Sequence, residues 1–312
     1  MRIAMLSYHT CPLAILGGKD SGGMNVYVRE LTRFLGQAGV QVDVFTRSQD
    51  EHVPHVLHDL GYCNRVVHVN AGPEFPLPKK ELPQYLPRFA EGILDFASRK
   101  GFTYDLIHSH YWMSGIAAEM LQNAWHVPVV HMFHTLGHMK NKVAQHPSEV
   151  EGDYRLQGEQ HCMDIADRII ASTPAEVDQM TTLYRLDPGK VEVIPPGVDL
   201  SHFYPIPKDE ARAAIGIAQD VQMILFVGRI EPLKGIDTLL KALALMREEC
   251  HFAECPFQLV IIGGDPDSSL DQASSEMTRL KSLCNSLRLD DMVLFLGKKD
   301  QSTLPYYYSA AE

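Results

Sequence analysis

Two loops in this chain carry residue types that could hold a phosphate. The first is Gly22-Gly23-Met24-Asn25-Val26-Tyr27, which sits between a short apolar run and an amphipathic stretch. Glycines let a ligand approach the backbone, and a helix N-terminus presents unpaired N–H groups at the positive end of its dipole. Taken alone, the motif reads equally well as a flexible loop whose glycines start a helix. It lacks the G-x-G-x-x-G spacing, which disfavours a nicotinamide cofactor. The second loop, Val227-Gly228-Arg229-Ile230-Glu231-Pro232-Leu233-Lys234-Gly235, places Arg229 and Lys234 on either side of a proline-containing turn. A guanidinium fork and an ammonium point charge can converge on one diphosphate where a helix begins. A solvated basic loop is the alternative, weakened because strand-to-helix crossovers are where open α/β sheets bind ligands.

The middle of the chain is rich in histidine. His108-Ser109-His110-Tyr111-Trp112 and His131-Met132-Phe133-His134-Thr135-Leu136-Gly137-His138 each close a strand-like run. Both therefore fall at the carboxyl ends of strands, the ligand side of such sheets. A zinc site is the obvious alternative, but H-x-x-H-x-x-x-H on a strand and loop does not present one face, and no carboxylate accompanies it. No metal is expected. His131 reads as a core residue. Lys79, Lys80, Tyr111, Thr135 and Arg155 are scattered polar residues that taken singly look ordinary, the lysines as surface charge and Arg155 as part of a helix face.

The elements that position these residues follow from apolar patterning. Strand-like runs recur at 2–6, 41–45, 66–69, 106–108, 127–131, 169–171 and 191–194. Helix-length patterns at 24–38, 82–100, 113–125, 154–167 and 174–184 separate them. Short buried strands alternating with amphipathic helices indicate a doubly wound α/β sheet. A break at Pro195-Pro196-Gly197-Val198-Asp199 and Tyr204-Pro205-Ile206-Pro207 precedes a second unit with strands at 223–227, 258–262 and 293–296 and helices at 236–248 and 274–287. We expect domains over 1–200 and 201–312, the second short of the strands a doubly wound sheet carries. The final Tyr306-Tyr307-Tyr308-Ser309-Ala310-Ala311-Glu312 reads as a helix leading toward a further strand.

Composition bounds the partners. Hydrophobic residues at 45% and charged residues at 21% mark a soluble globular chain. A formal net charge of -11 with no dense Lys/Arg cluster argues against nucleic acid. No run approaches the roughly 20 apolar residues of a membrane span. Cys11, Cys63, Cys162, Cys250, Cys255 and Cys284 form no C-x-x-C pair and read as reduced, buried thiols, which points to the cytoplasm. A homodimer is left open.

With these residues in view, the chain resembles the retaining, two-domain GT-B glycosyltransferases of the sucrose-phosphate-synthase type, and within them the mycothiol-pathway branch that transfers N-acetylglucosamine to inositol phosphate. The matching stretches begin at Gly22 and Pro78 and at Asp105, continue through Phe133-His134-Thr135-Leu136-Gly137 and Pro195-Pro196-Gly197-Val198-Asp199, and end with the Arg229–Lys234 loop. The resemblance implies a GT-B fold of two Rossmann-like domains, an acceptor-binding one and an incomplete nucleotide-sugar-binding one. It implies that Gly22, Gly23, Arg229 and Lys234 hold the donor diphosphate, a UDP-sugar's, and that His110 and His134 line the transferred sugar. Asn25, Lys79, Tyr111, Thr135 and Arg155 would hold the phosphate of a cyclitol or sugar acceptor. No cofactor or metal is implied, since Arg and Lys neutralise the leaving diphosphate. The resemblance implies a paired-glutamate E-x7-E motif beyond the point where this chain stops, so a C-terminally truncated chain is expected. Two rivals follow: an inactive fragment that binds a phosphorylated ligand, or a nucleotide-sugar epimerase of the same fold.

Overall fold

The computed structural model describes residues 1–14, 22–144, 146–249, 257–264 and 275–312. The chain divides into two compact units, the first comprising Met1–Lys142 and His146–Pro196 and the second running through Gly197–Glu312.

The first unit alternates strands and helices: β1 (Arg2–Leu6), α1 (Gly23–Gln37), β2 (Gln41–Arg47), β3 (Val56–Leu57), β4 (Arg65–Val69), α2 (Leu86–Lys100), β5 (Leu106–His110), α3 (Trp112–Trp125), β6 (Val129–Met132), α4 (Gly137–Val143), α5 (Asp153–Ile165), β7 (Arg168–Ala171), α6 (Pro174–Leu183) and β8 (Val191–Val193). Its eight-stranded sheet has the order β3-β4-β2-β1-β5-β6-β7-β8, parallel throughout except for the β3–β4 pair. Strand residues are buried alternately on the two faces. Ile3 and Met5 of β1 join Val28 of α1 and Val42 and Val44 of β2. Ala4 and Leu6 join Phe89, Ile93 and Phe96 of α2 and Ala117 and Leu121 of α3 on the other face. Burial on both faces is why these strands read as continuous apolar runs rather than alternating ones.

Element boundaries differ from the sequence expectation for local reasons. The helix expected over 82–100 begins as a 3-10 helix, Lys79–Tyr85, because Pro83 lacks the N–H that an α-helix interior needs. The strand expected from 127 starts at Val129, after Pro128. The helix expected to reach 167 stops at Ile165, and Asp167 turns its carboxylate to accept from the Val129 N–H at 2.8 Å. Thr173 caps α6 as expected, its hydroxyl accepting from the Glu176 N–H, with Pro174 in the first turn.

The second unit comprises α7 (Lys208–Ile215), β9 (Gln222–Val227), α8 (Ile236–Glu249), β10 (Phe257–Ile262), α9 (Ser275–Ser286), β11 (Val293–Gly297) and α10 (Leu304–Ala310). Its parallel sheet has the order β11-β10-β9 among the described residues. Leu259 and Ile261 of β10 pack with Ile236, Leu240, Leu280 and Cys284, while Val260 and Ile262 pack with Ala211, Tyr307 and Ala310. The expected helix start at Ser274 lies outside the described residues, as do Cys250 and Cys255. The expectation of uniformly buried thiols needs correction: Cys162 and Cys284 are buried, but Cys11 is half-buried and Cys63 exposed, because the turn before β4 carries Cys63 on the surface. Among the described residues, no helix is long and apolar enough to cross a membrane.

Candidate functional site

The parallel register aligns the carboxyl ends of the central strands. Leu6 of β1 lies beside Ser109 of β5, and His110 of β5 beside Met132 of β6. Both crossovers leaving this edge are strained: Tyr111 follows β5 with φ 72° and ψ 148°, and His134 follows β6 with φ 61°. A non-glycine residue in either conformation costs on the order of 1–3 kcal/mol and persists only where its surroundings hold it.

These turns bring His110 and His134 together, with His110 Nδ1 2.9 Å from His134 Nε2. Tyr27 of α1 sets its ring edge-on to both, at 5.8 and 5.3 Å between centroids. Beneath them lie His108, 4.2 Å from the His110 ring, and His131, whose Nδ1 meets the Ser109 hydroxyl at 2.7 Å. Burial pushes all four imidazoles down, His108 to about 4, His131 and His134 to about 3, and His110 well below its ordinary value; repulsion among them adds to the shift. They are neutral at pH 7 and serve as dipoles and hydrogen-bonding groups rather than as cations. The Nε2 atoms of His108, His110 and His131 are buried with no hydrogen-bond partner. An unsatisfied buried group at a ligand edge is a feature that a bound polar molecule can complete.

A second cluster surrounds Arg155, which is 2% exposed. Its Nε donates to Glu159 Oε1 at 2.8 Å, its Nη1 to Glu151 Oε1 at 2.6 Å, and its Nη2 to the carbonyl and hydroxyl oxygens of Thr135, each at 3.2 Å. The guanidinium lies 5.1 Å from the centre of the Tyr111 ring. Glu159, wholly buried, also accepts from the Gly137 N–H at 3.0 and 2.9 Å and from the Tyr184 hydroxyl. It therefore ties Arg155 to the N-terminus of α4. Desolvation lowers the Arg155 pKa, but Tyr111, Glu159 and Glu151 together outweigh it and raise it.

The glycine pair opens α1 as expected, Gly22 as its cap and Gly23 as its first residue. A Cβ on Gly23 would meet nothing within 4 Å, so packing gives no reason for glycine there. Asn25 is fully engaged within the chain: its Oδ1 accepts from the Gly22 N–H at 2.8 Å, and its Nδ2 donates to the Thr10 hydroxyl and the Cys11 carbonyl, both at 2.7 Å. In this arrangement Asn25 shapes the helix entry. Lys79 is an exposed residue that begins the 3-10 helix. The segment leading to it is clamped by Arg47, which donates to the Pro73 carbonyl at 2.5 Å and the Phe75 carbonyl at 2.8 Å.

In the second unit, β9 ends at Val227 and a 3-10 turn, Pro232–Lys234, precedes α8. Arg229 Nη1 pairs with Glu231 Oε1 at 2.7 Å, and Lys234 is exposed. Gly263 fits this loop closely. At φ 141° its backbone lies so near the Gly228 carbonyl that a Cβ would come within 1.8 Å of that oxygen.

The structure thus gathers Tyr111, Thr135 and Arg155 into one cluster and His110 with His134 into another, and it leaves Asn25 committed to the helix entry. Sequence reasoning missed Glu151, Glu159, Lys140, Tyr184, Arg47 and Gly263. The spacing of Glu151 and Glu159 four residues either side of Arg155 was the signal available for two of them. Among the described residues, no group of three His, Cys, Asp or Glu side chains could hold a metal ion.

A family model described as Glycosyltransferase Family 4 matches residues 21–202, and one described as Glycosyl transferases group 1 matches residues 207–312. The D-inositol 3-phosphate glycosyltransferase 2 of Catenulispora acidiphila is 41% identical over 314 residues, covering 100% of this chain and 72% of the relative. The D-inositol 3-phosphate glycosyltransferase of Kineococcus radiotolerans is likewise 41% identical, covering 100% of this chain and 71% of its own length. Among solved structures, sucrose-phosphate synthase from Thermosynechococcus elongatus superposes with a TM-score of 0.84 at 34% identity, covering 99% of this chain and 73% of the other.

Proposed function

Since this chain belongs to the GT-B glycosyltransferases of family 4, we propose that it moves a sugar from a UDP-sugar to an inositol phosphate, with retention of configuration at the anomeric carbon. The first unit takes the acceptor and the second the nucleotide-sugar. The observation that supports this most is the Arg155 cluster, in which a buried guanidinium, the Thr135 hydroxyl and Tyr111 come together from three separate elements at the carboxyl edge of the sheet. That is the chemistry a phosphate monoester requires. Lys79 adds a further cation from the segment that Arg47 clamps.

In the second unit, Arg229 and Lys234 neutralise the diphosphate as its bond to the anomeric carbon breaks and charge grows on the β-phosphate oxygen. They act on the transition state more than on the ground state. His134 and His110, both neutral, offer hydrogen bonds to sugar hydroxyls. Neither is suited to serve as a strong base, so the leaving phosphate oxygen takes the proton of the acceptor hydroxyl as that hydroxyl attacks from the same face.

The test is to incubate the chain with a panel of nucleotide-sugars and with inositol phosphate, a hexose phosphate and inositol, following transfer by mass spectrometry and the anomeric configuration by NMR. Transfer from a UDP-sugar to inositol phosphate with retention is expected. Lys79→Met should raise KM for the phosphorylated acceptor about tenfold, the worth of one charge-assisted hydrogen bond. Absence of transfer to any phosphorylated acceptor, or an inverted product, would overturn the reading.

A further inference from the structure

Arg155 has as few as one N–H left for a phosphate in the arrangement described. It is 2% exposed, and Nε, Nη1 and Nη2 already donate to Glu159, Glu151 and Thr135. These bonds take up to four of its five N–H groups, so an anion that is to grip the guanidinium through two of them must replace one of these partners. Glu159 is 0% exposed and holds the Gly137 N–H and the Tyr184 hydroxyl as well, so its departure would strand two further buried donors. Glu151 is different. Its side chain is 25% exposed, against 2% for Arg155. One of its oxygens, Oε1, bridges two cations, accepting from Arg155 Nη1 and from Lys140 Nζ.

We propose that Lys140 and Arg155 form a two-cation site for the phosphate of the acceptor, and that the Glu151 carboxylate is a resident stand-in which the phosphate displaces. The proposal rests on the reading of Arg155 as an acceptor residue and adds to it one cation and one gate. The backbone at 151 is already fixed, since the Glu151 N–H donates to Asn141 Oδ1 at 2.7 Å and the Glu151 carbonyl accepts from Asn141 Nδ2 at 3.1 Å. Displacement therefore needs only a rotation of one side chain whose outer face is in water.

Charge gives the direction. Arg155 and Lys140 are balanced by Glu151 and Glu159, so the resting cluster is neutral. A phosphate dianion entering with Glu151 in place would meet its like charge at hydrogen-bonding range. With Glu151 swung out, the dianion finds two cations and one remaining carboxylate. Burial raises the Glu151 pKa, but pairing with Lys140 and Arg155 prevails and holds the carboxyl below its usual range, so the stand-in is ionised at neutral pH. A neutral polyol cannot make this exchange, so the gate also discriminates for phosphorylated acceptors.

The experiment compares the unaltered chain with Glu151→Gln, Lys140→Met and Arg155→Lys by calorimetry, with inorganic phosphate, inositol phosphate and inositol as probes, each variant's folding checked by tryptophan fluorescence. Glu151→Gln should bind inorganic phosphate and inositol phosphate about tenfold more tightly, and Lys140→Met about tenfold more weakly, with inositol unmoved by either. Unchanged or weaker phosphate binding by Glu151→Gln would sink the gate, and unchanged binding by Lys140→Met would remove the second cation. If Arg155→Lys bound inositol phosphate as the unaltered chain does, the acceptor assignment itself would fall. A loss there combined with no gain in Glu151→Gln would overturn this inference alone.

Discussion

Lowering the pH from 7.5 to 5.5 should cost the first unit several kcal/mol of stability, on the order of 1 kcal/mol for each strongly shifted histidine. His108, His131 and His134 have folded values near 4, 3 and 3, and His110 lies well below the ordinary 6.5, burial being the first cause in each case. In the unfolded chain each takes up a proton as pH falls through 6.5, whereas the folded unit excludes it until far lower. The unfolded state therefore binds more protons across this window, and stability falls as pH falls. At pH 5.5 the penalty is on the order of 1 kcal/mol for each of His108, His131 and His134, whose folded values lie near 4, 3 and 3, and His110 adds in the same direction. Four such groups approach the roughly 5–15 kcal/mol that holds a domain together. His68, also lowered by burial, adds in the same direction. Glu151, held low, titrates beneath this window. Urea unfolding followed by tryptophan fluorescence measures the effect in the first unit alone, because the chain's two tryptophans, Trp112 and Trp125, both lie there. A loss below about 1.5 kcal/mol between the two pH values, or a gain, would refute the claim that these rings are buried and neutral. His131→Asn, which can keep the hydrogen bond from Ser109, should remove about a quarter of the pH dependence.

Two further outcomes follow from close approaches elsewhere. Gly263→Ala would drive a Cβ to 1.8 Å from the Gly228 oxygen at a backbone angle that alanine resists, so it should displace the Arg229 loop and weaken UDP binding tenfold or more by calorimetry; unchanged affinity would separate that loop from the donor. Arg47→Met should leave the Pro73 and Phe75 carbonyls unpaired, lower stability by about 3 kcal/mol in urea titrations, and raise KM for the phosphorylated acceptor more than it lowers kcat, with partial rescue by Arg47→Lys.

What could be read from the sequence divides along a physical line. Strands buried on both faces and helices with an apolar stripe announce themselves locally, so β1, β2, β9, β10 and helices α1 and α3 stand within a residue or two of expectation. The apolar run of β5 stops at 108, yet Ser109 and His110 continue the pairing with β6. The residues that end a strand at the ligand edge are polar for chemical reasons, and composition mistakes them for loop. Helix α4 has no counterpart in the apolar pattern. It is seven residues long with Lys140, Asn141 and Lys142 on it and little apolar surface. Its N-terminus is held by Glu159, twenty-two positions away, and no window of local sequence contains that partner.

The same limit separates the two readings of Arg155. As a helix-face residue its flanking glutamates would be solvated i,i+4 pairs worth about 0.3–0.5 kcal/mol each. Folding instead buries Glu159 completely and leaves Glu151 at the surface, so two identical spacings become two different devices, one a fixed anchor and one a removable partner. The difference arises from the donors: Gly137 and Tyr184 hold Glu159 from within the core, whereas the further donor to Glu151 is Lys140, which is 38% exposed. Removing either carboxylate should therefore have opposite consequences: loss of Glu159 costs structure, because buried donors lose their acceptor, whereas loss of Glu151 opens a cationic site to solvent. The chemistry of the cluster lies in that asymmetry, which packing creates and spacing alone cannot express.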